Sequence, residues 1–105
     1  MDRLQKIQKK IIKHQFELSE HAVDQSIIRN ISVNEIVEVL NQDAKIIEDY
    51  PNDKYGPSCL IFGYTKKDRP LHIQCSYPSR PVLKIITLYE PDIAKWVDFE
   101  KRRNP

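Results

Sequence analysis

Seven side chains have the types and spacing for acid–base chemistry on a charged substrate: His21, Arg29, His72, Arg80, Lys84, Thr87 and Tyr89. His72 sits between Leu71 and Ile73 in an alternating run, so as a strand residue it shares a face with Gln74 and Ser76. Thr87 and Tyr89 place a hydroxyl and a phenol on one side of the apolar run from Leu83 to Tyr89, and each needs a partner if buried. Where the two strands turn these residues the same way, His72, Gln74, Thr87 and Tyr89 form a polar patch on an apolar sheet. His21 falls in the first turn of a helix that Ser19 is placed to cap. The positive end of the helix dipole favours a neutral imidazole there, which suits a general base or a substrate-orienting group. Its plainer role is to anchor the helix start to the sheet. With Arg29, Arg80 or Lys84 beside such a patch, the chemistry it suits is metal-free RNA cleavage. A base takes the ribose 2′-hydroxyl proton, an acid protonates the leaving oxygen, and a cation stabilises the phosphorane.

The two cysteines, Cys59 and Cys75, are equidistant from Lys67, so a hairpin centred there sets them opposite each other. Two thiols do not make a metal site, and His72 points to the face away from Cys75, so no zinc is expected. Both are read as reduced thiols, since the chain lacks the dense cysteine spacing of a secreted scaffold. The sequence has no phosphate-binding loop, dinucleotide fingerprint, nucleophile elbow or paired metal carboxylates, and no cofactor is expected.

The elements that must hold these residues begin with an amphipathic basic helix over residues 1–14, with Leu4, Ile7, Ile11 and Ile12 at helical spacing among Lys6, Lys9, Lys10 and Lys13. Gln15 to Leu18 reads as a short extended piece. A second helix runs from the Ser19 cap to about Ile28, and Ser32 to Glu35 is a capping box opening a third. The period then becomes alternating. Lys45 to Tyr50, Cys59 to Thr65, Leu71 to Tyr77 and Leu83 to Tyr89 are predicted strands, the last one centrally placed and covered on both faces. Pro91 is expected to start a closing helix carrying Ile93, Trp96 and Val97, with Arg102 and Arg103 at its negative end. The expectation is thus α+β, with N-terminal helices packed on a four-stranded antiparallel sheet and a C-terminal helix.

At 105 residues the chain fits one domain, spanning residues 1–105. Seventeen basic against fifteen acidic residues give a net charge of +2, too small to argue nucleic-acid binding alone. The distribution is uneven: about +4 over residues 1–14, −6 over 15–63 and +4 over 64–105. No run is long enough for a membrane span, and Met1 is followed by charge rather than by a signal-peptide core, so a cytoplasmic location is expected.

Ser19-Glu20-His21-Ala22, Arg29, Ile31-Ser32 before Glu35-Ile36, Pro70-Leu71-His72-Ile73 and Ile86-Thr87-Leu88-Tyr89-Glu90-Pro91-Asp92, with Trp96 and Arg102-Arg103, resemble a small prokaryotic family of unknown function catalogued under the number 4258. The resemblance spans about Ile7 to Arg103, so residues 15–103 form the family core. It implies a relation to the RelE-like and MqsR-like toxins, many of them ribonucleases that cut messenger RNA. By position it matches His21, Arg29, His72, Thr87 and Tyr89. The implied function is the toxin of a toxin–antitoxin pair, acting without metal on mRNA, also at the ribosome, and encoded beside a zinc-finger antitoxin protein. The alternative is a non-catalytic module of the same fold that binds a partner through its sheet edge or first helix. A small-molecule binding domain has little support, because only Gly56 and Gly63 would let a ligand approach the backbone.

Overall fold

Each of the three N-terminal helices starts on a side-chain cap. In the computed structural model, which describes residues 1–104, Asp2 accepts from the Gln5 amide at 2.8 Å while the Gln5 side chain accepts from the Asp2 amide. This opens α1 (Arg3–Ile12). Ser19 caps α2 (Glu20–Ile28), and the Ser32–Glu35 box opens α3 (Val33–Asn41). These caps satisfy amides that helices leave without partners.

The strands are β1 (Phe16–Leu18), β2 (Lys45–Tyr50), β3 (Ser58–Tyr64), β4 (Pro70–Ser76) and β5 (Leu83–Tyr89). They form one mixed sheet in the order β1-β5-β4-β3-β2, not the expected four-stranded antiparallel one. The short extended piece after α1 is the added strand. It pairs parallel to β5, Phe16 with Leu83 and Leu18 with Ile85. Strand β5 therefore lies next to an edge, and β4 is central.

One face of the sheet carries the core. Ile7 and Ile11 of α1 and Ile36, Val39 and Leu40 of α3 pack with Cys59, Ile61, Leu71, Ile73, Ile85 and Leu88. Ile12, expected in the α1 stripe, is instead 65% exposed. Helix α3 crosses β3 at Gly63, where an added Cβ would lie 3.0 Å from Val39 Cγ1. Cys59 and Cys75 face each other across β3 and β4, as their spacing about Lys67 predicts. Hydrogen bonding to Cys59 and burial push the Cys75 thiol well above its ordinary range.

Strand β5 changes phase partway along. Gln74 pairs with Thr87 but Cys75 pairs with Ile85, so Ile86 is an extra, bulged residue. Thr87 and Tyr89 consequently share a face with Lys84, not with Leu83 and Ile85 as strict alternation predicts. The Lys84 amide, displaced from the ladder, donates to Ser76 Oγ at 3.0 Å.

The expected C-terminal helix does not form. Asp92 accepts from the Ala94 amide through its side chain and from the Lys95 and Trp96 amides through its carbonyl, giving a single turn. Asp98 and Phe99, both at positive φ, then reverse the chain into a ribbon of β6 (Trp96–Val97) and β7 (Lys101–Arg102). The reason lies in the apolar stripe: only Trp96 is buried, while Ile93 is 68% exposed, so a helix here has no continuous face to bury. The ribbon lies over the outer face of the sheet. Arg102 pairs with Glu48 at 2.9 Å and Lys45 with Glu100 at 2.5 Å. No helix among the described residues is long and apolar enough to cross a membrane.

Candidate active site

The start of α2 is bolted to the β5 bulge. The Ser19 amide donates to the Ile85 carbonyl at 2.9 Å, and Ser19 Oγ donates to the Ile86 carbonyl at 2.8 Å while accepting from the Ala22 amide. Two residues on, His21 Nε2 lies 3.1 Å from Thr87 Oγ1. The bulge therefore turns Thr87 toward the helix that carries His21.

Beside this pair is a cavity of about 430 Å³ lined by Ser19, Glu20, His21, Tyr55, Ser76, Arg80, Lys84 and Ile86. Three of the seven sequence-predicted residues, His21, Arg80 and Lys84, thus share one cavity, with Thr87 bonded to the first. Lys84 Nζ is held by Glu17 at 2.8 Å. Arg80 differs from the other five arginines in making no hydrogen bond or ion pair among the described residues.

His72 and Tyr89 are brought together, directly opposite in the ladder with Nδ1 and the phenol 3.3 Å apart. They do not join the His21 cavity as an open patch. His72 is fully buried, with the Trp96 ring edge-on at 4.5 Å and its Nε2 2.5 Å from the Phe99 carbonyl. A carbonyl only accepts, so Nε2 carries the proton and Nδ1 accepts from Tyr89. Burial lowers the His72 pKa and raises that of Tyr89, which keeps both neutral. Tyr89 and Arg29 line a second cavity with Trp96, Lys95 and Arg102, also containing Glu90 and Asp92. Arg29 itself is bonded to Gln25 at 2.6 Å. The seven residues therefore divide between two places along β5.

Glu20, Tyr55 and Ser19 of the first cavity were not singled out from the sequence as chemical groups. The signal for Glu20 was its place beside His21 after a cap; Tyr55 lies in a polar loop whose path no periodicity describes. Arg69 was also missed. It donates to the Arg29 and Asn30 carbonyls at the end of α2 and pairs with Glu35 and Glu90. That role is architectural. Among the described residues, no three His, Cys, Asp or Glu side chains cluster as donors for a metal ion.

No curated protein and no solved structure matches the chain. A family model does, described as Domain of unknown function (DUF4258), over residues 18–90. The match runs from the end of β1, through the Ser19 cap and His21, to the end of β5, and so takes in more than half of the chain and both histidine pairs; the chain belongs to this family.

Proposed function

We propose that this protein is a metal-independent endoribonuclease of the RelE-like toxin type, acting on mRNA in the cytoplasm from the His21 cavity. The observation that carries the reading is the gathering of Glu20, His21, Arg80 and Lys84 around one cavity beside the β5 bulge. The Glu20 carboxylate takes the ribose 2′-hydroxyl proton, and the oxygen attacks the adjacent phosphorus. Lys84 holds the phosphorane charge, and Arg80 binds the adjoining phosphate. Thr87 holds His21 Nε2, and the imidazole takes the 2′-hydroxyl proton on from Glu20 at Nδ1 and gives it to the departing 5′-oxygen. His72, buried under the ribbon and bonded to Tyr89 and the Phe99 carbonyl, serves the fold and takes no part in the step.

The resemblance to toxin families supplies the partner: a small zinc-finger antitoxin protein. A second reading, the non-catalytic interaction module, is favoured by one observation. Ile27 and Ile28 at the end of α2 are each 73% exposed, and Val23 one turn earlier is 42% exposed.

The test is induced expression of the wild type beside Glu20→Gln and His21→Ala, with growth followed and transcript ends mapped by primer extension. Arrest with new 5′-hydroxyl ends, reduced about 10²- to 10⁴-fold in the folded variants, is expected. Intact transcripts in cells holding soluble wild-type protein would overturn the ribonuclease reading and leave the interaction module.

A further inference from the structure

The 51–57 loop brings an aromatic ring to the cavity, and the turn between β4 and β5 brings a guanidinium with no partner among the described residues. Tyr55 is 62% exposed, it lines the cavity, and Lys54 Nζ stands 5.0 Å from its ring centroid. Next to it, Gly56 takes φ +92°, a conformation that side chains rarely adopt, and Arg80 lies against it, 3.9 Å from where a Cβ would sit. Tyr55 and Arg80 also line a smaller recess together with Pro57 and Ser79. An exposed ring beside Lys54, lining the same cavity as a guanidinium with no partner among the described residues, has no evident structural duty in the fold.

The combination matches one ligand chemistry. A nucleobase offers a π face of any sequence, and base–aromatic stacking needs no directional readout. The adjoining phosphate offers the two oxygens that a planar guanidinium grips. A duplex cannot satisfy both, because its bases stay stacked inside and only sugar and phosphate reach a surface ring. We propose that the cavity takes single-stranded RNA, with one unpaired base stacked on Tyr55 and the neighbouring phosphate held by Arg80. This deepens, and rests on, the assignment of the same cavity to RNA.

Stacking on Tyr55 sets the strand across the cavity mouth. The phosphate on Arg80 then continues toward Lys84 and the His21–Thr87 pair, which line the same cavity. Tyr55 and Arg80 are accordingly binding residues, whose loss weakens affinity more than it slows the bound complex.

The experiment uses the full chain and a fluorescent, fully 2′-O-methylated RNA oligonucleotide, which binds but cannot be cleaved. Anisotropy titrations compare the single strand, the same strand in a duplex, and versions with one abasic position. The wild type is expected to prefer the single strand. Tyr55→Ala should lose about 5- to 150-fold in affinity while Tyr55→Trp retains it. One abasic position should reproduce that loss, and combining it with Tyr55→Ala should add little. Arg80→Gln should weaken binding and reduce the salt slope by about one ion. Equal binding of duplex and single strand, or unchanged affinity of Tyr55→Ala with circular dichroism intact, overturns the proposal. An unmodified strand assayed in parallel separates the two claims. Cleavage with Tyr55-independent binding sinks this inference alone, Tyr55-dependent binding without cleavage sinks the nuclease alone, and no binding sinks both.

Discussion

His72 Nε2 and the Phe99 carbonyl oxygen stand 2.5 Å apart, joining the central strand to the turn of the C-terminal ribbon. The bond links two unusual environments, a histidine with no solvent exposure and a phenylalanine at φ 62°. Positive φ is strained for a bulky residue, and Phe99 is kept there by this bond and by its ring against Phe62 at 5.9 Å. The ribbon in turn seals His72 from water. The C-terminal segment therefore acts as a cover for the outer face rather than as a packed helix.

A pH dependence of stability follows. Burial holds the His72 pKa below its ordinary 6.5, so the folded state binds this proton less readily than the unfolded chain. The contribution is complete above pH 6.5 and is lost as pH falls through the folded-state value. Glu35, lowered from 4.5 by its Ser32 amide bond, acts in the same direction but only in a more acid window. Urea unfolding should show stability decreasing from about pH 7.5 to about pH 5.5, and His72→Gln should flatten that slope. An unchanged slope in His72→Gln would assign the dependence elsewhere.

The two histidine pairs should separate by mutation. Tyr89 donates to a buried, neutral imidazole, so Tyr89→Phe removes one buried hydrogen bond, worth about 1 kcal/mol, and leaves the His21 cavity intact. RNA cleavage by Tyr89→Phe should stay within about threefold of wild type, whereas His21→Ala should lose about 10²-fold or more. Single-turnover rates on a labelled oligonucleotide measure both. A collapse in Tyr89→Phe, with folding intact, would move the chemistry to the second cavity.

Much of this arrangement was legible in residues because local rules dominated there. Ser19 and Ser32 announce helix starts through their own side chains, and Cys59 and Cys75 announce their pairing through equal spacing from the turn. A shared face for His72, Gln74, Thr87 and Tyr89 was expected on condition of how the strands faced; their pairing, His72 with Tyr89 and Gln74 with Thr87, comes from the register. Three features escaped. The Ile86 bulge leaves no mark on composition, yet it decides that Lys84 joins Thr87 on one face. Parallel pairing of β1 to β5 depends on a contact across more than sixty positions. The last segment carries a proline and a helical stripe, but its course is set by Trp96 finding the buried His72 ring. Long-range packing overrode local propensity at each point. The site divided for the same reason, since the sealing of His72 comes from the ribbon.

Arg69 should matter more to stability than its surface position suggests. Its guanidinium serves the Arg29 and Asn30 carbonyls at 2.9 and 2.8 Å and pairs with Glu35 at 3.0 Å. It thereby satisfies the C-terminal end of α2 and ties it to the start of α3. Arg69→Ala should lower stability by about 2–3 kcal/mol, read from the urea midpoint, and Arg69→Lys should recover only part, because an ammonium cannot span the same set of acceptors. A loss under about 0.5 kcal/mol would mean that water replaces these bonds.

Gly63 has no room for a side chain. A Cβ would approach the Val39 carbonyl oxygen at 3.1 Å as well as Val39 Cγ1, and backbone cannot swing aside as a flexible side chain can. Gly63→Ala should therefore destabilise the fold by about 1–3 kcal/mol despite alanine's smaller conformational cost in the unfolded chain. Thermal unfolding checks this. Val39→Ala, made in the same background, should recover part of the loss by removing the Cγ1 contact while leaving the carbonyl.

Ser19 performs two tasks that one pair of substitutions can separate. Its oxygen accepts from the Ala22 amide as a helix cap, and its proton goes to the Ile86 carbonyl at the bulge. Ser19→Ala loses both, with an expected destabilisation of about 1–2 kcal/mol. Ser19→Asp keeps a good cap, but an ionised carboxylate donates no proton and is repelled by the Ile86 carbonyl. If the cap alone matters, Ser19→Asp should equal the wild type in unfolding and in RNA cleavage. If the bolt to the bulge sets the distance between His21 and Thr87, Ser19→Asp should retain helicity by circular dichroism yet cleave RNA about tenfold more slowly. The second outcome is expected, because the bulge and the helix start are joined here through so few bonds that losing one shifts the imidazole against the cavity.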